Sequence, residues 1–264
     1  MRIWGRGRRK AGALGKRPAT DYGAANVMLS AVQAASLPAA PSHFGHGSMF
    51  ADWGMLGNDT VGDCAFAGTD HEHMLWTGIG NRGSLSAKFK TSNTLSDYSA
   101  LTGYVPGDPS TDVGTVVSEL MDYRRTTGVI DAAGKRHKID LAVRLPKPYS
   151  WSLFINALWC FKVVAVGFMV PGSAMDQFDQ GLPWDYVGDD NIEGGHYVPA
   201  AGSTNSAGEV TVLTWGRRQA MTKAFWNHYV DELWVPLSRE AMSSIESALK
   251  AVDWTAVQNI AKTL

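Results

Sequence analysis

Apolar residues recur at helical spacing over 116–126, where Val117, Leu120 and Met121 share one face and Arg124 and Arg125 close the segment. That pattern predicts an amphipathic helix, preceded by Asp112 and capped by Gly128. A helix is also predicted from Cys64 to about residue 76, with Phe66, Met74, Leu75 and Trp76 supplying its apolar surface, and another over about 95–102. Pro106-Gly107-Asp108-Pro109 then reads as a turn. Farther along, Ser150 or Ser152 is placed to cap a short helix over 153–160.

The pattern changes in the second half. Residues 163–170 are a continuous, valine-rich apolar run, the signature of a buried strand. Residues 171–194 are rich in Gly, Asp and Pro and read as a long loop. Strands are predicted at 196–201 and 209–215, joined by a hairpin turn at Asn205-Ser206-Ala207-Gly208. Phe225, Trp226, Tyr229 and Trp234 crowd the stretch 224–235. Ser238 caps a final amphipathic segment carrying Met242, Ile245, Leu249, Val252, Val257 and Ile260. Helices first and antiparallel strands second define an α+β fold of two lobes. The chain divides into an arm and Ala/Pro-rich linker at 1–47, with a short helix predicted at 25–35, a main domain at 48–237, and a helical extension at 238–264.

A chain of 264 residues can bury this much core. Its two cysteines, Cys64 and Cys160, argue against a disulfide scaffold and leave a single bridge open; Cys160, between Trp159 and Phe161, reads as a buried core thiol. No apolar run approaches the roughly 20 residues of a membrane span. No continuous apolar stretch follows the N-terminal charges, so a signal peptide is not expected. Seven cations, Arg2, Arg6, Arg8, Arg9, Lys10, Lys16 and Arg17, precede the first acid, Asp21. Subtracting them from the net charge of −1 leaves −8 on the remainder. Such an arm reads first as a solvated tail, and second as a contact for nucleic acid or an acidic protein surface.

The candidate chemistry lies in two segments. Gly57-Asn58-Asp59-Thr60-Val61-Gly62-Asp63-Cys64 is a tight turn that delivers a cysteine to the first turn of a helix, where the dipole favours the thiolate. Gly194-Gly195-His196-Tyr197-Val198 opens a strand with an imidazole, the base that a cysteine nucleophile needs. Asp63 works against the thiolate as a neighbouring carboxylate.

In this order and spacing the residues resemble the papain-like cysteine peptidases, in a divergent form of the kind found in bacteria and their bacteriophages. Asp52-Trp53, Leu56-Gly57-Asn58 and Cys64 resemble the family's approach to its nucleophile, and Asn58 stands where the family places a glutamine that helps form the oxyanion hole. Asp112-Val113-Gly114 with the helix after it, His196-Tyr197-Val198-Pro199-Ala200-Ala201-Gly202, and Thr214-Trp215-Gly216 resemble later motifs of the family. The likeness spans roughly residues 50–237, and the 132 positions from Cys64 to His196 fit the family's spacing. The resemblance implies a helical N-terminal lobe and an antiparallel sheet or barrel as C-terminal lobe. It further implies Cys64 as nucleophile, His196 as base and Asn58 as oxyanion donor. Trp215 shields His196 and, with Gly62 and Gly195, meets the substrate; no cofactor or metal is called for. Two departures stand out. Ala65 replaces the usual aromatic after the nucleophile, and Leu213 occupies the place of the asparagine that orients the histidine. Leucine accepts no hydrogen bond, so Thr214, or an acid of the 185–193 loop (Asp185, Asp189, Asp190 or Glu193), is expected to serve.

The implied activity is cleavage of an amide bond in a peptide or protein through a thioester acyl-enzyme. The alternative is a catalytically inactive papain-like component of a phage particle or other assembly, a reading to which the basic arm, the ten tryptophans and Leu213 lean. A cytoplasmic or virion-associated location is expected. His43 with His46, or His71 with His73, raises the question of a metal, but residues 71 and 73 of a helix point to different faces. His71 is expected to pack beneath the nucleophile instead.

Overall fold

The computed structural model describes residues 14–18, 37–80, 87–204 and 207–239. Helices α1 (Cys64–Gly80), α2 (Thr91–Thr102) and α3 (Val117–Thr126) form one lobe, beside a small antiparallel pair, β2 (Val129–Ile130) and β3 (Arg136–His137). The other lobe is an antiparallel sheet in the order β4 (Leu141–Arg144), β9 (Val230–Leu237), β5 (Val164–Pro171), β6 (Ile192–Thr204), β7 (Glu209–Thr214) and β8 (Arg217–Thr222). Strand β1 (Phe44–Gly45) pairs with the last turns of chain in β6, Phe44 against Ser203. Helices α4 (Trp151–Phe161), α5 (Gly172–Gln180) and α6 (Lys223–Tyr229) pack on the sheet.

Helix α1 runs between the lobes and is buried on almost every side from Cys64 to His73. A helix so enclosed should be apolar all round, yet it carries Thr69, Asp70, His71, Glu72 and His73 inside. Burying polar groups is costly unless they are hydrogen-bonded, and most of these find partners. Thr69 donates to Ala65 O, Thr94 Oγ1 donates to Asp70 at 2.7 Å, and Glu72 pairs with Arg124 at 2.7 Å. Phe66, Tyr98, Leu120 and Met121 pack the helical lobe, while Phe154, Phe161, Val166, Phe168 and Val212 belong to the larger core around the sheet. Trp76 of α1 joins the two, its Nε1 donating to Phe161 O at 3.1 Å.

The expected α+β architecture holds, and several boundaries move. Helix α1 reaches Gly80, α2 starts at Thr91, and α4 starts at Trp151 with Ser150 Oγ accepting from Leu153 N at 3.3 Å. Gly128 follows α3 with φ +80° and donates to Tyr123 O. The expected loop at 171–194 is wrong over its first part, which is α5. Its Gly, Asp and Gln content masks an apolar face of Ala174, Met175 and Phe178 that docks on the sheet core. The aromatic stretch 224–235 divides into α6 and β9, and β4 and β8 had no sequence signal strong enough to predict them. The helix predicted at 25–35, the extension at 240–264 and hairpin positions 205–206 lie outside the described residues. Cys64 and Cys160 form no disulfide. No helix among the described residues is long and apolar enough to cross a membrane.

Candidate active site

The turn before Cys64 is built from its own backbone: Asn58 N donates to Met55 O, and Thr60 N and Val61 N to Gly57 O. Asp63 O then accepts from Phe66 N and Ala67 N, which starts α1 with Cys64 in its first turn. Asn58 stands beside Cys64 in a cavity of about 10 Å³ that Thr214, Trp215, Tyr197 and His71 also line, room for about one water. Its Nδ2 donates to Val61 O at 3.1 Å, so in this state the amide braces its own turn. Burial pushes the Cys64 thiol up to about 11, a shift that backbone N–H groups of Tyr197 and Gly15 partly offset. Asp63 is itself held well above the usual carboxylate range, first by burial and then by the nearby Asp70. Its charge adds to the upward push on the Cys64 thiol, the direction expected for these neighbours.

His196 lies in β6, opposite Phe168 of β5. Its Nε2 is 2.7 Å from Thr214 Oγ1, and its ring stacks on Trp215 with centroids 4.6 Å apart and planes 21° from parallel. Three of the four acids offered by the 185–193 loop are engaged elsewhere: Asp185 with Thr222, Asp189 with Ser173 N, and Asp190 with His228. Leu213 is buried and faces the cavity from the sheet side. Trp215 and Gly216 form a two-residue hairpin between β7 and β8, at φ +45° and +74°. Such hairpins need positive φ at both central residues, and this one holds an aromatic in a conformation costing about 1–3 kcal/mol. The turn is tied to the helical lobe through Trp53 N, which donates to Gly216 O at 3.0 Å. Burial alone pushes the His196 imidazole down to about 3, and its Nδ1 is buried with no hydrogen-bond partner.

One residue on, Tyr197 links the two walls. Its ring lies over Gly68 of α1, where a Cβ would sit 2.7 Å from Cδ1, so strand and helix can approach this closely only over glycine. Its hydroxyl donates to Glu72 at 2.5 Å, and Glu72 is paired with Arg124 of α3. His196 thus stands on the strand, and Cys64 on the helix, that Tyr197 joins, and no hydrogen bond links the two side chains in this conformation. His71 lines the cavity as expected from its place on α1, its Nε2 3.0 Å from both Trp53 O and Gly54 O, and burial lowers it to about 4. The His73 ring lies 5.3 Å from that of His137, tilted by 41°, and among the described residues no three His, Cys, Asp or Glu side chains converge as a metal site.

No pattern of residues announces what covers Cys64. Residues 14–18 cross the cleft as an extended strap: Lys16 N donates to Gly195 O at 3.0 Å, Arg17 N to Thr115 O at 2.9 Å, and Thr115 N to Gly15 O at 2.6 Å. The channel is floored by glycine. A Cβ on Gly62 would lie 3.3 Å from the Gly15 Cα, one on Gly114 2.2 Å from Gly15 O, and one on Gly195 2.3 Å from Lys16 O. Asp112 braces the floor, accepting from Gly62 N at 2.8 Å and Tyr98 OH at 2.6 Å. The reading of this part of the arm as a solvated tail is thus corrected: the Lys16 side chain is wholly buried. Positive charge along the arm reads as solvation, and only the facing carboxylates of β9 show otherwise.

No protein-family model and no curated protein matches this chain in sequence. Its fold does match solved structures. Xylellain, a cysteine protease from Xylella fastidiosa, superposes with a TM-score of 0.60 at 16% identity, over 88% of this chain and 98% of that one. The ragweed pollen cysteine protease Amb a 11, in its proform, superposes with a TM-score of 0.55 at 15% identity, over 81% of this chain and 71% of that one. The fold is that of the papain-like cysteine proteases.

Proposed function

We propose that this chain is a papain-like cysteine peptidase, cleaving peptide bonds through a thioester acyl-enzyme, in a state closed by its own residues 14–18. The observation that carries the reading is the placement of His196. Thr214 holds its Nε2 at 2.7 Å and Trp215 covers its face, one residue from the Tyr197 N–H that reaches Cys64.

With Nε2–H donating to Thr214 Oγ1, the lone pair is left on Nδ1, and that atom is the base. Nδ1 takes the Cys64 proton, the sulfur attacks the carbonyl carbon, and the carbonyl π electrons move to oxygen. The Cys64 backbone N–H, at the start of α1 and without an intrahelical acceptor, stabilises that oxyanion. Asn58 joins it once it releases Val61 O. The imidazolium then protonates the leaving amine as the C–N bond breaks, and water, deprotonated by Nδ1, frees the carboxylate and restores the thiol. Thr214 acts as a positioning residue in place of the missing asparagine. The neutral pair seen here, a thiol pushed up and an imidazole pushed down, follows from burial under the strap; solvent entering the cleft relieves both shifts.

The test uses the full chain with Lys16→Glu, which sets a third carboxylate against Asp231 and Glu232 and expels the strap. This protein should hydrolyse a fluorescently quenched casein, and the Cys64→Ala form of it should not. Its Cys64 should alkylate with iodoacetamide well below the ordinary thiol pKa of about 8.5, an advantage lost in His196→Ala. No hydrolysis, together with alkylation indifferent to His196, would sink the peptidase reading. The second reading, a peptidase fold kept as a binding component, is favoured by one observation: His196 Nδ1 is unpartnered while Cys64 is engaged by backbone amides.

A further inference from the structure

We propose that the pocket holding Lys16 is a specificity pocket, which selects substrates with a lysine or arginine side chain at the residue seated against Gly195. This rests on the peptidase reading for the identity of the ligand as a substrate, whereas the binding it describes needs no hydrolysis.

The pocket arises from an irregularity between β5 and β9. Gly167 pairs with Glu232 and Phe168 with Val230, which leaves Asp231 as an extra residue on β9. In an unbroken strand, residues 231 and 232 would point to opposite faces. A bulge re-aims side chains, and here both carboxylates come to one ammonium group. Lys16 Nζ lies 2.8 Å from Asp231 Oδ2 and 3.9 Å from Glu232 Oε2. Two contacts fix the acids: Tyr149 OH donates to Asp231 O at 2.9 Å, and Trp234 Nε1 donates to Glu232 Oε1 at 2.8 Å. Glu232 Oε2 is buried with no hydrogen-bond partner.

Gly167 provides the length of the pocket. A Cβ there would lie 2.5 Å from Lys16 Cε, so the lysine stem occupies the space that any other residue at this position would fill. An apolar or acidic occupant would leave two carboxylates, one of them deeply buried, without a counter-charge. Removing one partner of a buried pair is far costlier than replacing both, and that is the source of the selectivity. The pocket also stands at the right place. The residue that fills it donates its backbone N–H to Gly195 O, immediately before His196, and its neighbour Gly15 lies against Cys64. A peptide threading the glycine-floored channel therefore presents one side chain to Asp231 and Glu232 within a residue of the nucleophile. The strap shows which chemistry fits there.

The experiment reads binding. Full-length protein carrying Cys64→Ala and Lys16→Ala is titrated, by fluorescence polarisation, into fluorescein-labelled Leu-Gly-Lys-Arg-Pro and into the same peptide with norleucine for lysine. The lysine peptide should bind about thirtyfold more tightly, and adding Asp231→Asn with Glu232→Gln should erase the difference. If that variant does not fold, Gly167→Val serves: it should exclude the lysine peptide while the thermal transition is kept. Equal affinity for the two peptides, or no measurable binding of the lysine peptide, overturns the proposal. A lysine preference in binding with no hydrolysis in the Lys16→Glu protein keeps the pocket and sinks the peptidase reading. Hydrolysis indifferent to basic side chains does the reverse.

Discussion

The two walls of the cleft solve the same problem in opposite ways. On the helical wall, Cys64 is set by backbone, a self-bonded turn and the first turn of α1, while amides of Tyr197 on the sheet and Gly15 on the strap face its sulfur from the other side. The polar side chains behind it are mostly satisfied within their own lobe, as Asp70 is by Thr94. On the sheet wall, His196 sits in an aromatic box of Phe168 and Trp215, with one hydrogen bond and a bare Nδ1; Trp215 Nε1 is also unpartnered. One wall fixes its group by hydrogen bonds and the other by exclusion of water. Desolvation acts on both, pushing the thiol up to about 11 and the imidazole down to about 3. The resting pair is neutral because it is dry.

The joint between the walls is the Tyr197–Glu72–Arg124 chain, and breaking it should have the largest effect. Glu72→Leu leaves Arg124 buried without its counter-charge, which should cost about 3–5 kcal/mol, read as a lower urea midpoint at unchanged slope. A midpoint equal to that of the wild type would show that the walls are held by apolar packing alone. Next in size is the hydrogen bond between Thr214 and His196, the proposed base. Thr214→Val, made in the Lys16→Glu protein, should lower kcat by a factor equivalent to about 1–3 kcal/mol with KM little changed, and Thr214→Ser should restore it. A KM effect without a kcat effect would move Thr214 from the base to the substrate.

The smallest effect concerns the dry environment of His196. Its folded pKa of about 3 lies below the unfolded value of 6.5. Between these values the unfolded chain holds a proton that the folded chain lacks, so this group's contribution to stability falls as pH drops from 6.5 towards 3. The stability difference between wild type and His196→Gln should therefore shrink over that window, by at most about 1.4 kcal/mol per pH unit. A difference independent of pH would mean that water reaches the imidazole.

Much of the helical wall was legible. The turn before Cys64, the amphipathic α3 with Gly128 after it, and the Ser150 cap are local patterns, and local patterns survive into the fold. The sheet wall was legible only in part. The valine run of β5 and the strand at His196 were apparent, but β4, β8 and the split of 224–235 depend on pairing with strands far away in sequence. α5 was hidden by loop-like composition, because docking on a core can override weak propensity.

The sequence by itself determined the two candidate side chains, their order along the chain, and the α+β class of the fold. Those features are set by short-range periodicity and by turn chemistry. Only the tertiary structure decided what surrounds them. The strap at residues 14–18 meets Gly62, Gly114 and Gly195 from three distant segments, and a one-residue bulge turns Asp231 and Glu232 onto one lysine. Contacts between residues far apart in the chain leave no period to read, and the charge of Lys16 looks like solvation until the carboxylates that neutralise it are in place.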